Sequence, residues 1–460
     1  MNSTAPPIFA PPYDLAGFRR AVAGVELIDD PERVRQRSRD FYWFSPVAAR
    51  LLADKSADLI ARPRDEAEVR AVSAACARLR IPLTLRGAGT GTYGQGVPLH
   101  GGVVLDTTGL DSLPALNDER VRAGAGLRIH KLDAAARQRG RELRMHPSTK
   151  RAATIGGYFT GGSGGIGSVT YGGLREPGNL LGARVLTLEE APRVLTLRGD
   201  DAALVNRTYG TTGIVVEVEL PLTEALPWRD LIVTFETLEA TVRFADALAR
   251  DGAIRKKLVC VLAASASAYL TALASVLGPR DAALLMVADE DRLRLASLAR
   301  EFGGTVTHDA DSVALENDPR ANPLYEYTWG HTTLNARKVD ASLTYLQTLF
   351  AGPDLVEKVL RMVEIFGDEI PMHLEFIRYE GEVAANGAQL LRWRDEARLE
   401  EIIHIHETHG IPVANPHVHT LEGGSRHKRV PGDQLAFKAL VDPYGLLNPG
   451  KMTDYVPVRR

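Results

Sequence analysis

The sequence predicts an α+β protein built in two parts, and three features carry that expectation. A strand–helix–strand unit early in the chain runs directly into a glycine loop at 86–96. A second glycine-rich run, at 154–173, keeps apolar residues at intervals. Beyond Trp228 the glycines thin out, and strands alternate with helices without any such loop. A chain of 460 residues is also too long for one hydrophobic core.

In chain order, residues 1–55 read as irregular and helical, rich in proline and paired charges. Residues 58–63 form a short strand closed by Pro63. Residues 65–80 have helical spacing, with Val69, Val72, Ala75, Cys76 and Leu79 on one face and Asp65 as N-cap. Residues 81–86 form a second strand, which completes a βαβ unit. The loop that follows, R-G-A-G-T-G-T-Y-G-Q-G, is the kind of backbone that presents peptide N–H groups to a phosphate. It matches G-x-G-x-x-G, but Val97-Pro98 and residues 102–106 lead into a strand rather than a helix, so a Rossmann nicotinamide site is rejected. Strands at 121–124, 183–187, 193–197 and 214–221 and a helix at 129–139 complete this part.

The run T-I-G-G-Y-F-T-G-G-S-G-G-I-G-S-V-T-Y-G-G holds nine glycines in twenty residues. Interior glycines cost a helix about 1 kcal/mol each against alanine and give a strand nothing to pack, so neither element is expected there. Ile155, Tyr158, Phe159, Ile166, Val169 and Tyr171 act as anchors, which a flexible linker would lack. The expectation is a rigid loop wrapped around a large, flat or anionic cofactor. After Trp228, strands are expected at 231–235, 257–262, 282–288 and 371–377, with an extended segment from Leu334 to Ala336. Helices are expected at 238–250, 266–276, 291–302, 353–366 and 393–409.

Composition removes several classes. Hydrophobic residues make up 45% and charged residues 25%, as in ordinary globular proteins, and the net charge of −3 gives no electrostatic case for nucleic acid or an anionic membrane. Cys76 and Cys260 are the only cysteines, which excludes a disulfide framework and cysteine-based metal or iron–sulfur sites. No secretory signal and no membrane-spanning apolar stretch is visible, so a cytoplasmic location is expected.

Four segments, in order, resemble the FAD-linked oxidases of the vanillyl-alcohol oxidase and p-cresol methylhydroxylase (PCMH) type, which include glycolate and D-lactate dehydrogenases. They are the loop at 86–96, P-S-T-K-R-A-A-T-I-G-G-Y-F-T-G-G-S-G-G-I-G-S at 147–168, G-T-T-G-I-V at 210–215 and D-P-Y-G-L-L-N-P-G-K at 442–451. Gly162 departs from the pattern, since relatives often carry asparagine there. The resemblance implies a two-part PCMH-type FAD-binding domain at 1–225, a ferredoxin-like α+β cap at 226–412 that selects the substrate, and a segment at 413–460 returning to the flavin. It implies that Arg86, Gly87, Ala88, Gly89, Thr90, Gly91 and Gly96 meet the pyrophosphate. Pro147, Ser148, Thr154, Gly156, Gly157, Ser163, Gly164, Gly165, Ser168 and Tyr171 would follow the ribityl chain and the isoalloxazine edge. Gly213, Ile214 and Val215 would hold the adenine end, and Asn448 and Lys451 would come back to the flavin ring. No histidine lies in either glycine loop, so the FAD is expected to be non-covalent.

Substrate chemistry is less sharply written. The expected activity is oxidation of a hydroxyl-bearing carbon, of the 2-hydroxy-acid type, by hydride transfer to flavin N5. Oxidation of aromatic alcohols or phenols, an NADPH-fed reductase of the same FAD domain and an accessory flavoprotein stay open as alternatives. In hydroxy-acid members, arginine binds the carboxylate and a His-x-Gly-Asp-Gly-Asn-x-His motif often holds a divalent metal. Here Met372-His-Leu-Glu-Phe-Ile-Arg378 stands in its place, with His373, Glu375 and Arg378 on one strand. Arg378 is the expected carboxylate partner. His417 and His419 are two apart, so an extended backbone would face both to one side. Three uses fit them: a metal site with His373, a metal-free base, or packing. A metal is possible but not favoured. His404, His406 and His409 read as a solvated helix face. The loop 329–333 is the expected pocket wall, where His331 and Tyr327 could touch substrate. Partners are a small-molecule substrate and an electron acceptor that is oxygen, a quinone or a carrier protein; a homodimer is left open.

Overall fold

The computed structural model describes residues 11–162, 164–423 and 429–457. Three sheets organise the chain. The first contains β1 (Glu26–Ile28), β2 (Leu59–Arg62), β3 (Leu83–Arg86) and β4 (Val103–Asp106) in the order β1-β2-β4-β3. Strands β2, β4 and β3 run parallel, as the helix Glu66–Leu79 between β2 and β3 requires. Asp65 caps that helix by accepting from the Glu68 N–H, as expected.

The second sheet contains β5 (Ala115–Leu116), β6 (Arg120–Gly124), β7 (Arg141–Leu143), β8 (Gly182–Leu186), β9 (Val194–Arg198) and β10 (Ile214–Glu224). Its order is β5-β6-β10-β8-β9, and β7 also pairs with β10. The C-terminal segment is shared between parts. Val413 bridges the cap at Thr348, whereas the helix Gly432–Val441 buries Phe437 and Val441 in the second sheet's core and Leu447 bridges Leu83.

The third sheet begins with β11 (Trp228–Phe235), β12 (Lys256–Leu262), β13 (Asp281–Ala288) and β14 (Thr305–Asp311). Helices Leu238–Arg250 and Arg292–Glu301 make the crossovers, and the spatial order is β14-β11-β13-β12, all antiparallel. This β-α-β-β-α-β weave is the ferredoxin-like arrangement. Strands β16 (Thr348–Phe350), β17 (His373–Tyr379) and β18 (Glu382–Gly387) extend it beyond β12, while β15 (Leu343–Tyr345) pairs separately with β19 (Leu390–Arg392).

Three expectations fail locally, and one is the helix expected at 266–276, where short turns at Ala264–Ser267, Thr271–Leu273 and Ala274–Leu277 stand instead. Residues Ile155–Gly161 are a helix and Ser168–Tyr171 a helical turn. Thr154 caps the first, and Ile155, Tyr158 and Phe159 bury at helical spacing. Gly156 is needed there because a Cβ would lie 2.7 Å from the Ala125 carbonyl oxygen. Burial of one face and this backbone contact outweigh the glycine propensity cost. Leu334–Ala336 is not extended either, because Gly330–Val339 is a helix that buries Thr332, Thr333 and Ala336.

The two halves are joined by buried charge. Lys257 on β12 donates to Glu142 on β7 at 2.8 Å, and Trp228 Nε1 donates to the same carboxylate at 2.9 Å. Lys150 lies 2.7 Å from Asp133 and 2.8 Å from Glu316 of the cap. Burial alone would raise the Asp133 carboxyl, but Lys150, Lys257 and Arg137 hold it well below the ordinary carboxylate range. Removing the ammonium leaves a buried anion uncompensated, so Lys150→Met should cost about 3–5 kcal/mol of stability, read by denaturant unfolding. Because the folded Asp133 value is depressed, its contribution is complete above the unfolded value of about 4 and disappears as pH falls. The acid loss of melting temperature should therefore be shallower in Lys150→Met than in the wild type.

Candidate cofactor and substrate site

A cleft of about 420 Å³ is bounded on one side by the glycine segments and on the other by cap residues. Such a size is that of a cofactor or small-ligand site. Arg86, Gly87, Ala88, Gly89, Thr90, Gly91 and Gly96 line it from the first loop. Pro147, Ser148, Thr154, Gly156, Gly157, Gly164 and Gly165 line it from the second, and Val215 from β10. Ser163 lies outside the described residues.

The remaining expected cofactor residues, Ser168, Tyr171, Gly213, Ile214, Asn448 and Lys451, are not among those that line the cleft. Ser168 Oγ accepts from the Gly165 N–H at 3.0 Å and so shapes the loop, and Tyr171 donates to Thr223 Oγ1 at 3.1 Å. Gly213 and Ile214 pack between β8 and the core. Asn448 donates to the Gln95 and Tyr209 carbonyls at 2.8 and 2.6 Å, and Lys451 to the Gly94 carbonyl at 2.7 Å. Both residues hold the first loop from behind. Gly162 adopts φ +65°, and a Cβ there would meet Arg207 Cγ at 2.0 Å and Asn206 Oδ1 at 2.7 Å, so asparagine would not fit this packing.

The expected catalytic residues are likewise not among those that line the cleft. Arg378 Nη1 donates to the Gly381 carbonyl at 3.1 Å in the turn between β17 and β18. His417 is buried, with Nδ1 2.8 Å from Ser45 Oγ and Nε2 3.1 Å from the Tyr345 carbonyl. Burial pushes it down to about 4. His419 is half-buried near Gly94, and burial followed by Lys451 and Lys55 lowers it. The segment between them is not a strand, so the alternation assumed for an extended backbone does not apply. His373 is buried on β17, 2.8 Å from Glu375. Its nearest possible co-ligands among the described residues are Glu375 and Cys260, with ligand atoms within 4.8 Å; His417 and His419 are not in that group. The cysteine in it departs from the expectation drawn from the cysteine count. His406 is not solvated: it stacks on Phe366 at 5.0 Å and burial lowers it to about 4.

Residues that sequence reasoning passed over form the other walls. Asp40, Phe41 and Phe44 enter from the N-terminal segment, and Tyr93, Tyr209, Tyr345 and Gln347 form a cluster. Tyr93 donates to Gln347 at 2.6 Å, Tyr345 to Thr92 at 2.9 Å, and Tyr93 stacks on Tyr209 at 6.4 Å. Burial raises all three tyrosines, so their hydroxyls stay protonated. Burial also raises Asp40 to about 6, against the opposing pull of Lys451. From the cap come Glu326, Trp329, Gly330, His331 and Leu334, so three residues of the expected wall at 329–333 line the cleft, while Tyr327 packs in the cap core. No signal short of tertiary contact marks Asp40 or Glu326.

Three cleft residues carry a buried polar atom without a protein partner: Arg86 Nε, Tyr158 Oη and Trp329 Nε1. A Cβ at Gly161 would meet nothing within 4 Å. Bare backbone, a buried guanidinium and unfilled polar atoms suit a large anionic ligand such as FAD.

Comparison with known proteins agrees. Residues 57–219 match the FAD binding domain family. The chain is 30% identical over 237 residues to the glycolate oxidase subunit GlcD of Escherichia coli strain K12, covering 49% of this chain and 45% of that one. It is 34% identical over 129 residues to the D-lactate dehydrogenase of Archaeoglobus fulgidus, covering 27% and 29%. The matches therefore span less than half of these relatives' length. In fold, it resembles alkyldihydroxyacetonephosphate synthase with a TM-score of 0.69 at 15% identity, over 96% of this chain and 86% of that one. Residues 57–219 thus form an FAD-binding domain, and FAD is its cofactor. Among the described residues no helix is long and apolar enough to cross a membrane.

Because a side chain at Gly161 would project into open cleft, Gly161→Val should fold normally and lose most of its FAD. Flavin content per chain and the melting temperature of the flavin-free protein check this together. Full FAD retention would remove the helix 155–161 from the cofactor wall.

Proposed function

We propose that this protein is an FAD-dependent oxidoreductase that oxidises a hydroxyl-bearing carbon of a small molecule, of the 2-hydroxy-acid type. The observation that carries the proposal is one cleft shared by the two glycine segments and the ferredoxin-like cap. Bound FAD supplies a two-electron acceptor that takes hydride at N5. The chain's own part is to place the substrate between that ring and the cap, and the relatives' names supply the hydroxy-acid class. The electron acceptor that reoxidises the flavin is oxygen, a quinone or a carrier protein.

A second reading, oxidation of an aromatic alcohol, is favoured by two observations. Arg378 stands outside the cleft, and Arg151, which lines it, spends its guanidinium on the Glu316 and Ala321 carbonyls at 3.0 and 3.2 Å. Tyr93, Tyr209 and Tyr345 line the same space together with Phe41 and Phe44 and give it aromatic walls. Anaerobic bleaching of the flavin band with glycolate, D-lactate, D-2-hydroxyglutarate and benzyl alcohol separates the two. Reduction by an acid supports the first reading, reduction by benzyl alcohol alone supports the second, and no reduction by any overturns both.

Two expected outcomes accompany it. Arg378→Met should reduce with a hydroxy acid about as fast as the wild type, since loss of a bidentate carboxylate partner would cost about 2–5 kcal/mol and this guanidinium is engaged elsewhere. Acid precipitation should release the flavin into the supernatant, because no cysteine lines the cleft and neither glycine loop contains histidine. Flavin remaining on the polypeptide would mean a covalent link.

A further inference from the structure

We propose that His331 is the residue that accepts the substrate's hydroxyl proton and that Glu326 is the positioning residue that holds its imidazole. This rests on the oxidoreductase reading above and adds the residues that perform its proton transfer. Both residues line the cleft, on the cap side. His331 Nδ1 lies 2.9 Å from Glu326 Oε2, and the two side chains are 16% and 17% exposed. Beside a carboxylate, Nδ1 is the nitrogen placed to carry the hydrogen of a neutral imidazole, which would leave the lone pair on Nε2. Nε2 has no hydrogen-bond partner among the described residues. His331 is also the only histidine among the described residues lining the cleft.

The turn that carries the pair is rigid. Trp329 sits at φ 53°, ψ −136°, a conformation rare for a bulky residue. It is held there by the buried Glu375 carboxylate, which accepts its N–H at 2.6 Å. Thr328 Oγ1 donates to the Tyr325 carbonyl at 3.1 Å and Thr332 Oγ1 to the Tyr327 carbonyl at 2.7 Å. Three side chains, those of Glu375, Thr328 and Thr332, thus pin the backbone around His331, and a preorganised base needs that. The other titratable wall residues suit the task less. Asp40 accepts from the Tyr42 and Gly96 N–H groups at 2.9 and 3.4 Å, on the wall built by the first loop. The tyrosines are hydrogen-bond donors.

The step balances without a further reactant. The C–H electron pair leaves as hydride to the flavin, the O–H electron pair becomes the second bond of the carbonyl, and the proton moves to Nε2. The test is stopped-flow anaerobic reduction of the flavin-loaded protein by whichever of the four substrates above reduces the wild type. His331→Ala should slow it by about 10²–10⁴-fold. Flavin content and the rate of reduction by dithionite should not change, and added imidazole should restore much of the lost rate. Glu326→Gln should lower kcat while leaving KM close to its wild-type value. Should His331→Ala lose its flavin, His331→Gln is judged by the same rate. A variant as fast as the wild type, or a slow one that imidazole does not rescue, overturns the assignment of His331 alone. A wild type that none of the four substrates reduces overturns the oxidoreductase reading, and this inference with it.

Discussion

The first glycine loop has to stay bare on one face and tied down on the other, and most of the architecture around it answers that constraint. Its carbonyls at Gly94 and Gln95 accept from Lys451 Nζ and Asn448 Nδ2, side chains that arrive from the far end of the chain. Leu447 then adds itself beside β3, the strand that feeds the loop. A loop whose own side chains were large could be fixed by packing, but it would then occupy the space a cofactor needs. Tying the backbone from behind leaves peptide N–H groups on the open face. The arrangement has an electrostatic cost. Lys451 is fully buried and burial lowers it to about 7, with Asp40 as its opposing charge. Asp40 lines the cleft, where the charge of a bound ligand would act on it directly, and Lys451 stands behind that wall.

The joint between the two halves serves the same end. Glu142 receives the Trp228 indole and the Lys257 ammonium from the cap, and Lys150 reaches Glu316. These contacts lie behind the second glycine segment, whose residues 147–157 form one wall of the cleft. A buried ion network tolerates little displacement, since breaking one partner strands a charge. The distance between glycine wall and cap wall is therefore set by fixed contacts.

Much of the fold was legible because its signals are local. Asp65 caps its helix as its position suggested, and the βαβ start, the change of pattern at Trp228 and the cap's alternation all survive in the structure. The backbone part of the site was legible for the same reason: fifteen expected residues line the cleft, and most are glycine or small because the ligand space itself selects them. The helix at 155–161 was not legible. Its stability comes from burying Ile155, Tyr158 and Phe159 and from the contact of Gly156 with Ala125, neither of which propensity records.

Side-chain chemistry was hidden for a different reason. His417 and His419 drew attention because they are close in sequence, yet a turn separates their surroundings, and His417 spends both nitrogens on Ser45 and Tyr345. His331 and Glu326 carry no spacing signal, because a short 3₁₀ turn and the strained Trp329 bring them together. Spacing rules assume a regular backbone, and a cap that must aim a side chain into a cleft departs from one. Glu375 shows how that departure is sustained. Its carboxylate takes the Trp329 N–H on one side and faces His373 on the other, all within the cap interior. Glu375, on the strand the sequence marked for the site, thus holds the turn that carries His331.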